Sequence, residues 1–419
     1  MQRLVVFSLC LVACMAMESF DGYKVLRMEV TSEEHIEIIS ELDFDHELDF
    51  WDFPRDLMVP PHLLEFVQFY LKSNEINHVV WIEDVQAKID AAVSEEPHID
   101  VDGFDYYVYH NYSEIMVWVD SIVEAYPTLA STFSVGLSHE GRDLKCLKIG
   151  IDTGKTKRAI WFNGAIHARE WVSPATVMWM TNALLSNHTT GTDEDVTFLL
   201  ESFDMYILPV MNPDGYEYSW TTNRMWRKTR THHPGDLCYG TDPNRNFDYM
   251  WGGLGASNVS CASTYRGPHA LSEVEVKNVV EFIRQQSQSQ TFRLFIDYHS
   301  YSQMMLSTWG HTYDLPPDYD LMEEHMKIHT EAIHDAFGAN YTYGPGSRIL
   351  YPVSGGSRDW GYGDRGIPYS YTIELRDTGE HGFLLPEDQI YETAFENYRG
   401  LIAGLLHIEA TPVRAQRHV

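Results

Sequence analysis

Apolar and polar positions alternate over residues 22–30 (Tyr23, Val25, Leu26, Met28, Val30), the pattern of a half-buried strand. Thr31-Ser32-Glu33-Glu34 then opens an amphipathic helix through Ile36, Ile38, Ile39 and Leu42, with the spacing of a capping box. Phe50-Trp51-Asp52-Phe53 predicts a second strand, Pro60-Pro61 precedes a helix through Leu63, Phe66, Val67, Tyr70 and Leu71, and Val79-Val80-Trp81-Ile82 predicts a third strand. This succession predicts a small α+β unit, followed by a polar helix over 84–96 and a linker over 96–103. From Tyr106 onward the period changes repeatedly. Strand-like runs at 144–149, 159–162, 205–208 and 293–296 alternate with amphipathic stretches at about 174–187, 272–286, 319–336 and 387–408. Ser173-Pro174 looks like a helix cap followed by proline at the first helical position. The alternation predicts an α/β domain with a central, mostly parallel or mixed twisted sheet flanked by helices.

The chain has 419 residues, 61 acidic against 30 basic, for a formal charge of −31. That field repels polyanions, so neither nucleic acid nor an anionic membrane surface is an expected partner. Residues 17–100 alone carry 21 acidic and 5 basic side chains, which marks the N-terminal unit as a denser acidic block. Ahead of it, Arg3, the apolar run 4–12 and the small residues near Ala16 read as a signal peptide over 1–16, hence a secreted, extracellular protein. A short buried strand or helix is the competing reading of that run. With Cys10 and Cys14 removed, Cys146, Cys238 and Cys261 remain. Cys146 lies in an alternating run and reads as a buried free thiol, which leaves Cys238 and Cys261 to pair. Triplets at Asn111, Asn187, Asn258 and Asn340 are glycan acceptors in the same compartment.

The leading chemical constellation is His167-Ala168-Arg169-Glu170, after the strand 159–162 and Gly164. A neutral nitrogen and a carboxylate three residues apart can close on one ion, and that pair of donors suits zinc. Alone the spacing is weak, since a surface His–Glu pair has the same form. His299, at the end of the apolar strand that includes Leu294, Phe295 and Ile296, is the best third ligand, because open α/β sheets gather binding groups at strand ends. Neither His-Glu-x-x-His nor Gly-x-Ser-x-Gly is present.

Further segments carry a resemblance. Asn223-Arg224-Met225-Trp226-Arg227-Lys228, Asp242-Pro243-Asn244-Arg245-Asn246-Phe247, His299-Ser300-Tyr301-Ser302-Gln303, Tyr351-Pro352-Val353-Ser354-Gly355-Gly356-Ser357 and Glu374-Leu375-Arg376-Asp377 follow in order. Together with 167–170 they make the chain, over about 105–410, resemble the zinc metallocarboxypeptidases of the pancreatic A/B type, and the acidic N-terminal unit resembles their activation domain. The resemblance implies a signal peptide over 1–16, an activation domain over 17–100 and a metallocarboxypeptidase-fold catalytic domain over 101–419. It further implies one zinc per chain held by His167, Glu170 and His299, with Asp242 orienting the first histidine. Glu374, a lone acid in an apolar strand, would be the general base, and Arg227 would stabilise the oxyanion. Asn244 and Arg245 would clamp the substrate's terminal carboxylate, Tyr351 would close over it, and Arg169, Arg224 and Tyr301 would contact substrate along the groove. The implied partners are peptides with a free C-terminus, an activating protease and protein inhibitors, with the enzyme itself a monomer.

In that family the residue two after Gly355-Gly356 lies at the bottom of the pocket for the last side chain. Here it is Arg358, which implies preference for acidic C-termini, Glu over Asp. If Arg358 turned away, the same catalyst would prefer apolar or aromatic termini. A non-catalytic secreted binding protein is the reading from another class, and the retained ligands and base oppose it. One departure concerns processing: no Lys or Arg lies between Lys88 and Arg142, so cleavage falls after Lys88 or belongs to a protease acting within 95–107.

Overall fold

A computed structural model describes residues 17–42, 48–92 and 104–411. The leader at 1–16, the linker at 96–103 and the last eight residues lie outside that set. The N-terminal unit runs β1 (Lys24–Met28), α1 (Glu33–Leu42), β2 (Asp49–Asp52), β3 (Asp56–Val59), α2 (Leu64–Ser73), β4 (His78–Ile82) and α3 (Val85–Ala91). Its antiparallel sheet has the order β2-β3-β1-β4. Ser32 caps α1 by accepting from the His35 backbone N–H at 3.1 Å. β3 escapes the sequence reading because all four of its residues are buried, which removes the alternation that betrays an edge or half-exposed strand.

The larger unit contains α4 (Tyr112–Ala125), β5 (Ala130–Leu137), β6 (Asp143–Ile149), β7 (Arg158–Asn163), α5 (Val172–Thr190), α6 (Glu194–Ser202), β8 (Phe203–Leu208), α7 (Pro213–Thr221) and α8 (Val274–Gln286). It continues through β9 (Phe292–Ser300), β10 (Met304–Ser307), α9 (Tyr319–Phe337), β11 (Thr342–Pro345), α10 (Gly346–Ile349), α11 (Ser357–Gly363), β12 (Tyr369–Leu375) and α12 (Ile390–Ala410). The sheet order is β11-β10-β12-β9-β7-β8-β6-β5, parallel through β12-β9-β7-β8 and antiparallel where β10 meets β12 and where β5, β6 and β8 meet. This is the mixed, helix-flanked sheet expected. One core joins α4, α5, α6, α9 and α12 to one face; a second packs Val276, Val279, Val280 and Ile283 of α8 and Trp360 of α11 on the other. Buried from both sides, β9 has no exposed residue.

Ser173 is not the cap of α5, which begins at Val172. Its hydroxyl accepts from Ala165 N at 3.0 Å and donates to Tyr298 O at 2.6 Å, tying the loop after β7 to β9. Cys238 and Cys261 form a disulfide, and Cys146 is free and buried in β6. Among the described residues no helix is long and apolar enough to cross a membrane. The N-terminal unit lies against the larger one through Phe20, Trp51, Met58 and Ile82, which pack with Met225, Tyr301 and Phe383. Lys88 is engaged in this interface, with Nζ 3.2 Å from His381 Nδ1.

Candidate active site

Three parallel strands, β7, β9 and β12, end at one corner. Gly164 turns the chain out of β7 close against α5; a Cβ there would come within 2.9 Å of Ser173 Oγ and 3.0 Å of Pro209 O. The loop carries His167 and Glu170. His299 is the penultimate residue of β9, and Glu374 of β12 pairs directly with it in parallel register. The ligating atoms of His167, Glu170 and His299 lie within 4.8 Å of one another, all buried, so the three can close on one ion.

Their outer contacts fix how the rings face. His167 Nε2 is 3.1 Å from Asp242 Oδ1, and His299 Nε2 is 3.1 Å from Asp297 Oδ2. That leaves both Nδ1 atoms toward Glu170, at 2.8 Å from Oε1 and 3.1 Å from Oε2 respectively. The carboxylates are themselves held: Arg227 Nη2 donates to Asp242 Oδ2 at 2.9 Å, while Asn163 Nδ2 and Ser357 Oγ donate to Asp297, each at 2.6 Å. Burial alone would raise Glu170, but the two imidazoles overcome it and hold the carboxyl below the usual range. Among the described residues no cation lies within ion-pair distance of Glu374. Burial, aided by the Glu170 and Asp52 charges and opposed by His299 and Arg227, pushes it up to about 8.

One cavity joins these groups to Arg227, Asn244, Arg245, Tyr301, Tyr351 and Arg358. Arg245 donates through Nε to Gly255 O (2.7 Å) and through Nη1 to Asn244 O (3.0 Å); Asn244 Oδ1 accepts from Ser357 N at 2.8 Å. Arg358 is only 7% exposed, and among the described residues its guanidinium has one hydrogen bond, a long 3.4 Å approach of Nη1 to Thr372 Oγ1. The adjacent Asp359 favours the guanidinium's charge but makes no ion pair with it, because Thr308 Oγ1, the backbone N–H groups of Gly310 and His311, and the His311 ring already engage that carboxylate. Glycines 310 and 346 leave the space the guanidinium fills; a Cβ on Gly346 would lie 2.1 Å from Arg358 Nη2. Arg376, the nearest basic residue in sequence to Glu374, is bonded instead to Glu392 and Glu396.

The N-terminal unit reaches into this cavity with Trp51, Asp52 and Phe53. Phe53 meets the Tyr351 ring edge-on at 5.1 Å, Asp49 pairs with Arg169, and Asp56 accepts from the Tyr301 hydroxyl at 2.8 Å while bound to Arg27 by both oxygens. Arg169 and Tyr301 are therefore occupied by the chain itself. Arg224 departs from expectation: it is 2% exposed and lies beneath Trp171, away from the cavity lining. Asp297 was missed, although an acid two residues before His299 on a strand shares its face and could have been read. Asp49, Asp52 and Asp56 gave no such signal within an acidic run.

Residues 115–400 match the family described as "Zinc carboxypeptidase", and residues 26–92 match "Carboxypeptidase activation peptide". Carboxypeptidase A2 of Mus musculus is 40% identical over 407 residues, covering 94% of this chain and 96% of its own. Carboxypeptidase B of Homo sapiens is 40% identical over 391 residues, covering 91% and 92%. The crystal structure of thrombin activatable fibrinolysis inhibitor superposes with a TM-score of 0.85 at 32% identity, covering 94% of this chain and all of its own. The donor set of His167, Glu170 and His299, the fold and these matches agree: the chain belongs to the zinc carboxypeptidase family and carries that family's activation peptide.

Proposed function

We propose that the protein is a secreted zymogen which, once cut free of its N-terminal unit, removes the last residue of a peptide and favours an acidic side chain there, Glu over Asp. Overall likeness does not decide the substrate class, since identity to the relatives named A2 and B is the same 40%. The observation that carries the preference is Arg358: a buried guanidinium on the cavity wall, with no carboxylate within ion-pair distance among the described residues. Burial lowers the guanidinium's affinity for its proton although Asp359, Glu374 and Asp297 act on it from beyond ion-pair distance, and a substrate carboxylate in direct contact would relieve that cost. The extra methylene of Glu gives it the reach that Asp lacks.

Zinc held by His167, Glu170 and His299 supplies Lewis acidity at the corner. Glu374 takes a proton from the attacking water and passes it to the leaving amine as the C–N bond breaks; with zinc bound, the added positive charge would favour the ionised carboxyl that this role needs. Arg227 turns from Asp242 to the developing oxyanion. Asn244 and Arg245 hold the terminal carboxylate, and Tyr351 closes over it. Arg169 and Tyr301 become available to substrate only when Asp49 and Asp56 withdraw, which accounts for latency. Secretion is supported by the leader-like sequence and by the disulfide.

The test is kcat/KM for matched peptides ending in Glu, Asp, Phe, Leu and Lys, with the cleaved protein, with and without a chelator. Charge-assisted bonds are worth roughly 1.5–3 kcal/mol, about tenfold to a hundredfold. Arg358→Ile should lose that factor on Glu and gain on Leu, and Arg358→Asp should admit Lys. A wild-type preference for Phe or Leu over Glu would end the specificity reading.

A further inference from the structure

Arg224 is a buried cation with no carboxylate within ion-pair distance among the described residues, yet it is not in the groove. Its fork divides between two main-chain carbonyls: Nη1 donates to Arg169 O and Nη2 to Phe383 O, both at 2.8 Å. The guanidinium lies 3.6 Å from the centre of the Trp171 ring, which stacks on Trp220 at 3.9 Å and 4°. Trp171 is pinned in turn, with Nε1 donating to Ser219 Oγ at 2.9 Å, while the Ser219 hydroxyl donates to Tyr216 O at 2.7 Å and lies 3.1 Å from Ala168 O. The segment 224–227 therefore grips two peptides of the loop between His167 and Glu170: Arg224 at Arg169 O, and Arg227 O accepting from Ala168 N at 3.1 Å.

We propose that Arg224 is a positioning residue of the metal centre, which fixes the Arg169–Glu170 peptide so that the Glu170 carboxylate faces both imidazoles, and which locks that peptide to the Phe383 segment. The proposal rests on His167, Glu170 and His299 being the metal ligands. The physical ground is geometric. The Arg169 carbonyl belongs to the peptide bond that enters Glu170, so releasing it lets the carboxylate swing while the histidines stay in place. A planar fork carries its N–H groups on separate nitrogens and so reaches two carbonyls set apart from each other, a span that the single nitrogen of an ammonium or an amide does not cover. Loss of an outer contact to a ligand typically weakens metal binding tenfold to a hundredfold.

The full-length protein is first tested for zinc binding; failure there overturns the metal centre and the proposal with it, whereas the variants, compared in a protein that binds zinc, test Arg224 alone. Zinc release to a chelator and the visible bands of the cobalt(II)-substituted protein are then compared for wild type, Arg224→Met, Arg224→Lys and Arg224→Gln, with far-UV circular dichroism as the check on folding. Arg224→Met should release zinc at least tenfold faster and shift the cobalt bands. Arg224→Lys and Arg224→Gln, each able to keep one carbonyl, should fall between and decide the matter if Arg224→Met does not fold. A folded variant that loses stability to urea but keeps the wild-type release rate and cobalt bands would show a merely structural role and overturn the proposal.

Discussion

Two pairs of buried histidines sit on opposite sides of the idea of a site. His167 and His299 are 3% and 1% exposed, and every ring nitrogen faces a carboxylate: Asp242, Asp297, or Glu170 for both. His325 and His329 on α9 are 0% and 1% exposed, and among the described residues none of their four nitrogens has a hydrogen-bond partner. They pack where Gly400 and Gly404 let α12 approach; a Cβ on Gly400 would lie 2.5 Å from the His329 ring, and one on Gly404 2.7 Å from His325 Nε2. The Gly404 backbone comes near His325 without bond geometry. His325 also stacks on Tyr371 at 5.1 Å, with the rings of Tyr369, His329 and His407 beside it. Burial is the same in the two pairs; what differs is whether carboxylates came with it. A histidine becomes a candidate ligand through its neighbours' charges, and without them it is a costly aromatic filler.

The sharpest break in the comparison comes from removing ligands. His167→Ala or His299→Ala should abolish zinc binding and lower kcat/KM by about a thousandfold or more, whereas Glu374→Gln should lose activity by about 10²–10⁴ and keep its zinc. Metal content of the purified variants, beside their rates, checks the distinction; a brisk Glu374→Gln enzyme would remove the proposed base.

Acid should act through the other pair. Burial drives His329 down to about 3, and burial, then His329 and His407, hold His325 well below its ordinary value. The unfolded chain, with imidazoles near 6.5, then binds more protons than the native one between those values. Stability is complete above about pH 6.5 and falls as pH drops, by up to about 1.4 kcal/mol per pH unit per ring, so by roughly 2 kcal/mol per ring at pH 5. Urea unfolding of wild type and His329→Leu at pH 7.5 and 5 measures it. Equal acid sensitivity in the two would refute this account of the ring.

The smallest effect is expected from the same His329→Leu change at neutral pH. Replacing an unpaired buried imidazole by an apolar side chain of similar volume should leave activity intact and shift stability by no more than about 1 kcal/mol, in the stabilising direction. Activity assays and unfolding midpoints at pH 7.5 would show it.

How much of this could be read beforehand depends on what kind of contact was involved. His167 and His299 were legible because one follows an apolar strand and the other lies at the end of one, and strand ends converge in a parallel sheet. His325 and His329 show helical spacing, as do Gly400 and Gly404, but nothing local says that α9 packs on α12. Arg224 and Arg227 are three residues apart in one basic run, and only tertiary structure separates the one under Trp171 from the one at Asp242. Ser173 looked like a cap because cap and loop anchor use the same hydroxyl. The contacts of Asp49 and Asp56 were unreadable for a simpler reason: in a dense acidic run, every carboxylate looks alike.

The pairing of Glu374 with His299 across two hydrogen-bonded strands makes the sheet a ruler. Neighbouring strands are held about 4.8 Å apart by their ladder, a spacing no surface loop can stretch. The distance between the metal corner and the carboxylate opposite is thus set by backbone and not by whichever side chains happen to surround it. Loops at the rim, such as the stretch from Leu350 to Gly356, can be lengthened or exchanged to remodel what enters the cavity while that gauge stays constant. A slip of β12 by one residue would do the reverse: it would turn Glu374 to the far face of the sheet and leave the groove's outline untouched.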